Sequence, residues 1–330
     1  MKLYGWLGLF LLLVSEYCLF RQIEPFYSWF YCFAWWSYIL LADNLVYVLR
    51  GRSLLMGRRD ELWPMLPFSV FTWLLFEGYN LVLQNWAYNG VPAETWLRWP
   101  GYTVAFATVL PGVFITADLV EVLLFHPAAG AFASERQESP SRPASSRPAF
   151  LVLGLVLSAL PLIWPRYFFP AVWIGPIFLL DPLLERHGIR GLLSRLDTAG
   201  VRRILSLMIG GLACGLLWEF WNYWAASHWI YSVPFFGEWK VFQMPLLGFL
   251  GFPPFALECW ILYHLLAQVR LRAVPGLMRA AFWLCVACFC ILMFRAIDRR
   301  TVIRFESRSG AQFPLPRAGA GQSLERGMDP

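Results

Sequence analysis

Two glutamate and asparagine pairs lie inside otherwise apolar stretches of the chain. Glu77 precedes Asn80, and Glu219 precedes Asn222, with the same spacing of three residues. That spacing places each pair on one face of a helix. A buried carboxyl group can act as a general acid or bind a cation, and the amide can donate to the carboxylate or to a ligand. The alternative is that both pairs only join neighbouring helices by hydrogen bonds.

Aromatic residues surround both pairs. The chain has 18 Trp, and the segment after Asn222 runs His-Trp-Ile-Tyr, much as Asn-Trp-Ala-Tyr follows Asn80. Aromatic faces stabilise developing positive charge, although Trp and Tyr also form belts at membrane interfaces. We predict Glu219, Glu258 and Glu77 as catalytic acids. The predicted substrate-binding residues are Asn80, Asn222, Trp218, Trp221, Trp229, Tyr231 and His228.

Glu258, the acid that lies outside the two Glu-x-x-Asn pairs, follows a proline-rich stretch. The segment Gly251-Phe-Pro-Pro-Phe-Ala-Leu-Glu258-Cys-Trp260 resembles the Pro-x-Glu-type helix of the small membrane lycopene cyclase domain. The resemblance implies acid-initiated ring closure of a polyene, with Glu258 as the acid. It covers ten residues, the spacing departs from the adjacent acidic pair of that family, and the number of spans per unit differs.

Composition indicates which elements hold these residues. Hydrophobic residues make up 58% of the 330 residues and charged residues 15%, with a mean hydropathy of +0.53. Such a chain is too apolar for a typical soluble domain, and a helix needs about 20 apolar residues to cross a bilayer. We therefore predict an all-α, polytopic membrane protein with about nine spans. They are 3–20, 26–49, 66–86, 101–125, 149–164, 167–184, 204–226, 243–266 and 277–294.

The first eight spans are predicted to form two parallel four-helix repeats. Polar and proline residues recur in order at offsets of 138 to 143. The matches are Pro25 with Pro165, Asp43 with Asp181, Arg52 with Arg190, Glu77 with Glu219, Asn80 with Asn222, Trp86 with Trp229, and Tyr88 with Tyr231. The predicted organisation is a repeat over 1–133, a flexible linker over 134–148, a repeat over 149–270, an additional helix over 271–298 and a disordered tail over 299–330. Parallel repeats place a pseudo-twofold axis along the membrane normal.

The basic residues predict the orientation. Sixteen Lys and Arg lie at the N-terminus and in the even-numbered connections, against four in the odd ones. Cytoplasmic loops carry this excess, so we expect an integral protein of the bacterial inner membrane with a cytoplasmic N-terminus. A ninth crossing conflicts with the pattern, because it sends an arginine-rich tail to the outside.

Three functions fit these features. The first is a cofactor-independent enzyme that protonates a lipid or isoprenoid. The second is a transporter or lipid-handling protein with a cation or proton site between the repeats, and the third is a membrane scaffold. The sequence has no nucleotide-binding, metal-ligating or serine-hydrolase motif, so no cofactor and no metal are predicted. The expected partners are membrane lipids or a hydrophobic small molecule, with no nucleic acid; the oligomeric state stays open.

Overall fold

Helices make up most of the computed structural model, which describes residues 1–125, 147–195, 197–235, 237–271 and 276–306. The helices of the first half are α1 (Leu3–Phe20), α2 (Phe30–Arg50), α3 (Arg59–Leu83), α4 (Thr95–Phe106) and α5 (Val109–Phe125). Those of the second half are α6 (Arg147–Ile163), α7 (Pro165–Phe168), α8 (Gly175–Arg186), α9 (Thr198–Trp224) and α10 (Phe252–Leu271), and α11 (Gly276–Arg300) follows. Short 3-10 turns occupy Phe169–Trp173, Leu192–Ser194 and Leu246–Gly251.

Eight of these helical segments are long and apolar enough to cross a membrane. The predicted fourth span combines α4 and α5 over Thr95–Phe125, and the eighth combines a 3-10 turn with α10 over Leu246–Gln268. The predicted fifth span corresponds to α6, which is shorter, at 17 residues. The prediction of a helical protein is thus confirmed, and long apolar helices occur at eight of the nine predicted positions.

Helices α1 and α2 pack antiparallel, as do α6 and α8. Glycines allow these two antiparallel pairs to approach closely. A Cβ atom at Gly8 of α1 would clash with the backbone of Ser37 on α2, and one at Gly154 of α6 would clash with the backbone of Leu179 on α8. Further in, α5 packs against α2, α3 and α9, while α10 packs against α8, α9 and α3. The polar pairs therefore lie on α3 and α9 at the centre of the bundle.

A small sheet covers one end of the bundle, where we predicted only aromatic loops. The sheet contains β1 (Trp86–Pro92), β2 (His228–Tyr231) and β5 (Val302–Glu306), in the order β2-β1-β5. Strand β2 pairs with β1 antiparallel, whereas β5 pairs with β1 in parallel. Two further short strands, β3 (Lys240–Val241) and β4 (Met244–Pro245), form a hairpin. We call the end of the bundle that carries β1, β2 and β5 the sheet side.

The C-terminal boundaries differ from the prediction. The tail predicted to be disordered over 299–330 begins with the last two residues of α11 and the strand β5. The apolar residues Val302, Ile303 and Phe305 suit a strand, and the open edge of β1 supplies hydrogen bonds. The Tyr88 amide donates to Thr301 O at 2.7 Å, and the Ala93 amide donates to Glu306 O at 2.8 Å. Residues 307–330 and most of the predicted linker, 134–146, lie outside the described residues.

Helix α11 runs in the same direction as α3. Phe68 stacks on Trp283 near the beginning of both helices, and further along Phe71 contacts Phe289. Both helices then lead into strands that pair in parallel. The end of α11 therefore lies on the sheet side, together with the ends of α3 and α9.

Candidate functional site

Asn80 and Asn222 each fix the strand that follows their helix. Asn80 donates from Nδ2 to Trp86 O at 2.8 Å, and its Oδ1 accepts from the amides of Asn85 and Trp86 at 2.9 and 3.2 Å. Asn222 makes the same exchange with the backbone of Trp229, with both bonds at 2.8 Å. Both side chains are completely buried. The structure thus gives these predicted ligand-binding amides backbone partners, and neither lines a cavity.

The two carboxyl groups each hold a tyrosine of the following strand. Glu77 Oε1 accepts from the Tyr88 hydroxyl at 2.5 Å and from Trp86 Nε1 at 2.9 Å. Glu219 Oε1 accepts from the Tyr231 hydroxyl at 2.7 Å. In each carboxyl the other oxygen, Oε2, has no hydrogen-bond partner in the described part of the chain. Each carboxyl therefore keeps one oxygen on which a proton can reside.

The strands bring the two sets of residues together at one place. Trp86 lies opposite Tyr231, Ala87 opposite Ile230, and Tyr88 opposite Trp229. Each tyrosine therefore has the tryptophan of the other half as its cross-strand neighbour. The residues bound by the two carboxyl groups therefore meet at this pair of strands.

The first of two aromatic cavities, about 90 Å³ in volume, lies beneath the sheet. Tyr88 enters it from β1, Trp29 and Tyr31 from the region around the start of α2, and Tyr102 and Phe106 from α4. Its lining is almost entirely apolar. A cavity of this kind suits a hydrocarbon chain or a small unsaturated molecule.

The second cavity, about 50 Å³ in volume, lies on the other side of a central group of indoles. Tyr231 of β2 lines this second cavity, just as Tyr88 of β1 lines the first cavity. Trp73, Trp218 and Trp229 line both cavities. The rings of Trp73 and Trp218 are 5.0 Å apart and those of Trp218 and Trp229 are 5.8 Å apart. These three indoles therefore form a wall that is common to both cavities.

The other predicted site residues lie at the margin. Trp221 packs against Trp35 and lines neither cavity. The His228 ring contacts Asn89 Nδ2 at 3.3 Å and the carbonyl of Ala225 at 3.1 Å, so it holds the turn before β2. Glu258 is buried on α10 and does not line either cavity.

Sequence reasoning missed several lining residues. Trp73 lies four residues before Glu77, a spacing that places both on one helix face, so that signal was present. Tyr88 was recognised only as part of the repeated motif. The residues supplied by α4 and by the start of α10, such as Tyr102 and Phe252, could not be identified because only the tertiary fold brings them to the cavities.

The surroundings of Tyr88 and Tyr231 favour the neutral phenol. Burial raises the pKa of Tyr88 well above its ordinary value, and the adjacent Glu77 carboxyl raises it further. Burial and the Glu219 carboxyl have the same effect on Tyr231. The phenols therefore remain hydrogen-bond donors throughout the physiological pH range.

An ion pair closes the first cavity at the sheet side. Arg98, which lines the cavity, donates from Nε and Nη2 to the two oxygens of Asp298 at 2.8 and 2.7 Å. Trp99 Nε1 donates to the same carboxylate at 2.9 Å, and the guanidinium lies over the ring of Phe305. Helices α4 and α11 and strand β5 are thereby joined at one charged centre.

The described residues hold no group of three His, Cys, Asp or Glu side chains placed to bind a metal ion. Comparison of the chain with protein-family models, with curated proteins and with solved structures found no match.

Proposed function

We propose that this chain is an integral membrane enzyme that binds an unsaturated hydrophobic molecule, such as an isoprenoid or a lipid chain, and protonates it. The observation that carries the proposal is the first cavity, in which a phenol held by a buried carboxyl group meets a wall of aromatic rings. Eight long apolar helices support insertion in a membrane. The proposed site lies between two copies of one helical unit.

The register of β1 and β2 supports the duplication. If Trp86 corresponds to Trp229 and Tyr88 to Tyr231, exchanging the two copies leaves the pairing of Trp86 with Tyr231 and of Tyr88 with Trp229 unchanged. A twofold axis between Ala87 and Ile230 has this property, as expected for a self-complementary contact. Chance similarity of apolar helices does not produce such a register.

Matched contacts elsewhere support the same relation. Asp43 accepts from the amide of Leu55 at 3.0 Å after α2, and Asp181 accepts from the amide of Leu193 at 3.1 Å after α8, so both pairs keep the offset of 138. The breaks before α5 and α10 also correspond, since Val109 and Phe252 begin these helices. Each of the two aspartates thus holds the segment that follows its helix through backbone amides.

The proposed reaction begins with a relay of two proton transfers. In the relay the Tyr88 O–H turns from Glu77 Oε1 to the bound alkene and gives its proton to an alkene carbon. The phenol oxygen then takes a proton from the Glu77 carboxyl group. The carbocation lies among aromatic faces, which stabilise positive charge. After ring closure, the adjacent carbon loses a proton to the Glu77 carboxylate, which restores the acid. The overall reaction is an isomerisation, so it needs no oxidant and no cofactor.

Isotope exchange tests the proposal. Membranes containing the protein are incubated in D₂O with lycopene or geranylgeraniol, and the extracted products are measured by mass spectrometry. We expect an isomeric product that carries one deuterium. Glu77→Gln and Tyr88→Phe should reduce its formation by about 100-fold, in the range of general-acid effects. Asn89→Ala, which changes a neighbouring strand residue outside the relay, serves as the control.

Transport is a second candidate, favoured by the two equivalent cavities on either side of the indole group. Transporters built from repeats bind their substrate at the interface between the repeats, and Trp218 and Trp229 of the second half line both cavities together with Trp73 of the first half. Proton-driven uptake into liposomes that requires both Glu77 and Glu219, without deuterium in the recovered molecule, would replace the enzyme proposal with this one.

A further inference from the structure

Glu258 is a buried carboxyl group that neither cavity uses. It lies on α10 with 1% of its surface exposed, and both of its oxygens lack a hydrogen-bond partner among the described residues. None of the ion pairs among the described residues includes Glu258. An ionised carboxylate without a cation or a donor is far more costly to bury than the neutral acid. The surroundings therefore favour the protonated group.

Polar groups of two other helices lie nearby. Tyr79 of α3 interacts electrostatically with Glu258, and its hydroxyl donates to Ser158 O on α6 at 3.3 Å. The Ser158 hydroxyl is itself buried and has no hydrogen-bond partner within the described ranges. Tyr79 thus lies within electrostatic range of the carboxyl group of α10 and is bonded to the backbone of the α6 residue that carries the unsatisfied hydroxyl.

These groups lie at a shallow depth below the sheet side. Tyr79 precedes the end of α3 by four residues and Ser158 precedes the end of α6 by five. At 1.5 Å per residue these separations are about 6 and about 8 Å. Glu258 follows the first residue of α10 by six residues, or about 9 Å. A proton therefore has to travel only a short distance to reach the sheet side.

We propose that Glu258 is a proton-binding site within the membrane, which exchanges its proton with the sheet side past Tyr79 and Ser158. The elements packed against α10 include α3, α5, α8 and α9. Tyr79 of α3 and the adjacent Cys259 interact electrostatically with the carboxyl. The buried acids of α5, α8 and α9 are bound elsewhere: Asp118 pairs with Arg203, Asp181 accepts from the Leu192 amide, and Glu219 accepts from Tyr231. A metal cation needs several oxygen ligands, which this arrangement does not provide.

Dicyclohexylcarbodiimide, an apolar reagent for protonated acids, tests the site. The carboxyl oxygen bonds to the central carbon of the reagent while the acid proton moves to its nitrogen, so both molecules end in one adduct. We expect the adduct on Glu258 in the purified full chain at pH 6, with at least 10-fold less at pH 9. Peptide mass spectrometry locates the adduct, and Glu258→Gln should remove it.

Infrared spectroscopy gives a second measurement that does not depend on access of the reagent. The spectrum at pH 6 should contain a protonated-carboxyl band that Glu258→Gln abolishes and Ser206→Ala, a buried polar substitution on α9, retains. Absence of both the adduct and the band would overturn the proposal. Loss of labelling on addition of Na⁺ at constant pH would also overturn it, because the ligand would then be a metal cation.

Discussion

At the scale of single residues, the two asparagines determine where the tyrosines lie. Each side-chain amide bonds the backbone of the tryptophan in the following strand, Trp86 or Trp229, and so fixes the path of the chain after the helix. Tyr88 lies two residues after Trp86, and its hydroxyl bonds Glu77, which lies one helical turn before Asn80. Tyr231 bonds Glu219 in the same way in the second half. A Glu-x-x-Asn motif can therefore position a phenol without touching a ligand.

Asn80→Ala should lower stability more than ligand affinity. It removes three hydrogen bonds to buried backbone groups of Asn85 and Trp86, and each unsatisfied buried group costs about 1–3 kcal/mol. We expect a loss of at least about 2 kcal/mol and a lower thermal midpoint in detergent. Asn89→Ala, which removes one side-chain contact with His228, is the control. If the thermal midpoint is unchanged and ligand binding is lost, Asn80 binds the ligand directly, which is the role predicted for it from the sequence.

Alkaline pH should destabilise the protein through Tyr88 and Tyr231. Their pKa values are raised in the folded chain by burial first and then by the neighbouring carboxyl groups. Their contribution to stability is therefore complete below the unfolded pKa of about 10 and is lost as pH rises towards the folded values. The thermal midpoint should fall between pH 9.5 and 11, and the decline should be shallower in the Tyr88→Phe, Tyr231→Phe double variant. A parallel decline in both proteins would contradict this account.

At the scale of elements, hydropathy predicts the long helices but not the sheet. A helix that crosses a membrane must be apolar along about 20 residues, and this leaves a strong signal. Strands β1 and β2 contain seven and four residues, and their aromatic residues look like an interfacial belt. Strand β5 gave no signal of its own because its partner, β1, lies about 210 residues earlier.

Asp298→Ala should release α11 and β5 from α4. The substitution leaves Arg98, which is 6% exposed, without its carboxylate, and breaking a buried pair costs about 3–5 kcal/mol. We expect a lower thermal midpoint and faster protease cleavage between residues 300 and 306, measured by mass spectrometry. Arg304→Ala, which removes a longer and more exposed pair with Glu306, should change neither. Equal effects of the two substitutions would show that the Arg98 pair does not hold the strand.

At the scale of the whole molecule, the proposed duplication explains why the cavities escape detection in the sequence. Each half supplies a carboxyl group and a tyrosine that are recognisable in its own segment. The walls, however, combine halves: Trp73 of α3, Trp218 of α9 and Trp229 of β2 line both cavities. A local motif can identify the polar part of such a site, whereas the apolar part exists only once the two units pack together.

The direction of α11 provides the test of the complete topology. Because α11 runs parallel to α3 and ends beside β1, its two ends should lie on opposite sides of the membrane. Arg59 is exposed at the start of α3, and Arg304 is exposed on β5. A cysteine at each position, treated with a membrane-impermeant maleimide, reports its side, with the parent chain as the control for native cysteines.

Arg304→Cys should react in intact cells, and Arg59→Cys should react only after the membrane is opened. This result follows if the sixteen basic residues of the N-terminus and even connections determine the orientation and the arginines after α11 do not. Such dominance is expected because Arg98 and Asp298 join α11 to a bundle that is already inserted. Labelling of both positions from the same side would show that α11 does not cross, and the reverse pattern would show that the C-terminal arginines determine the orientation.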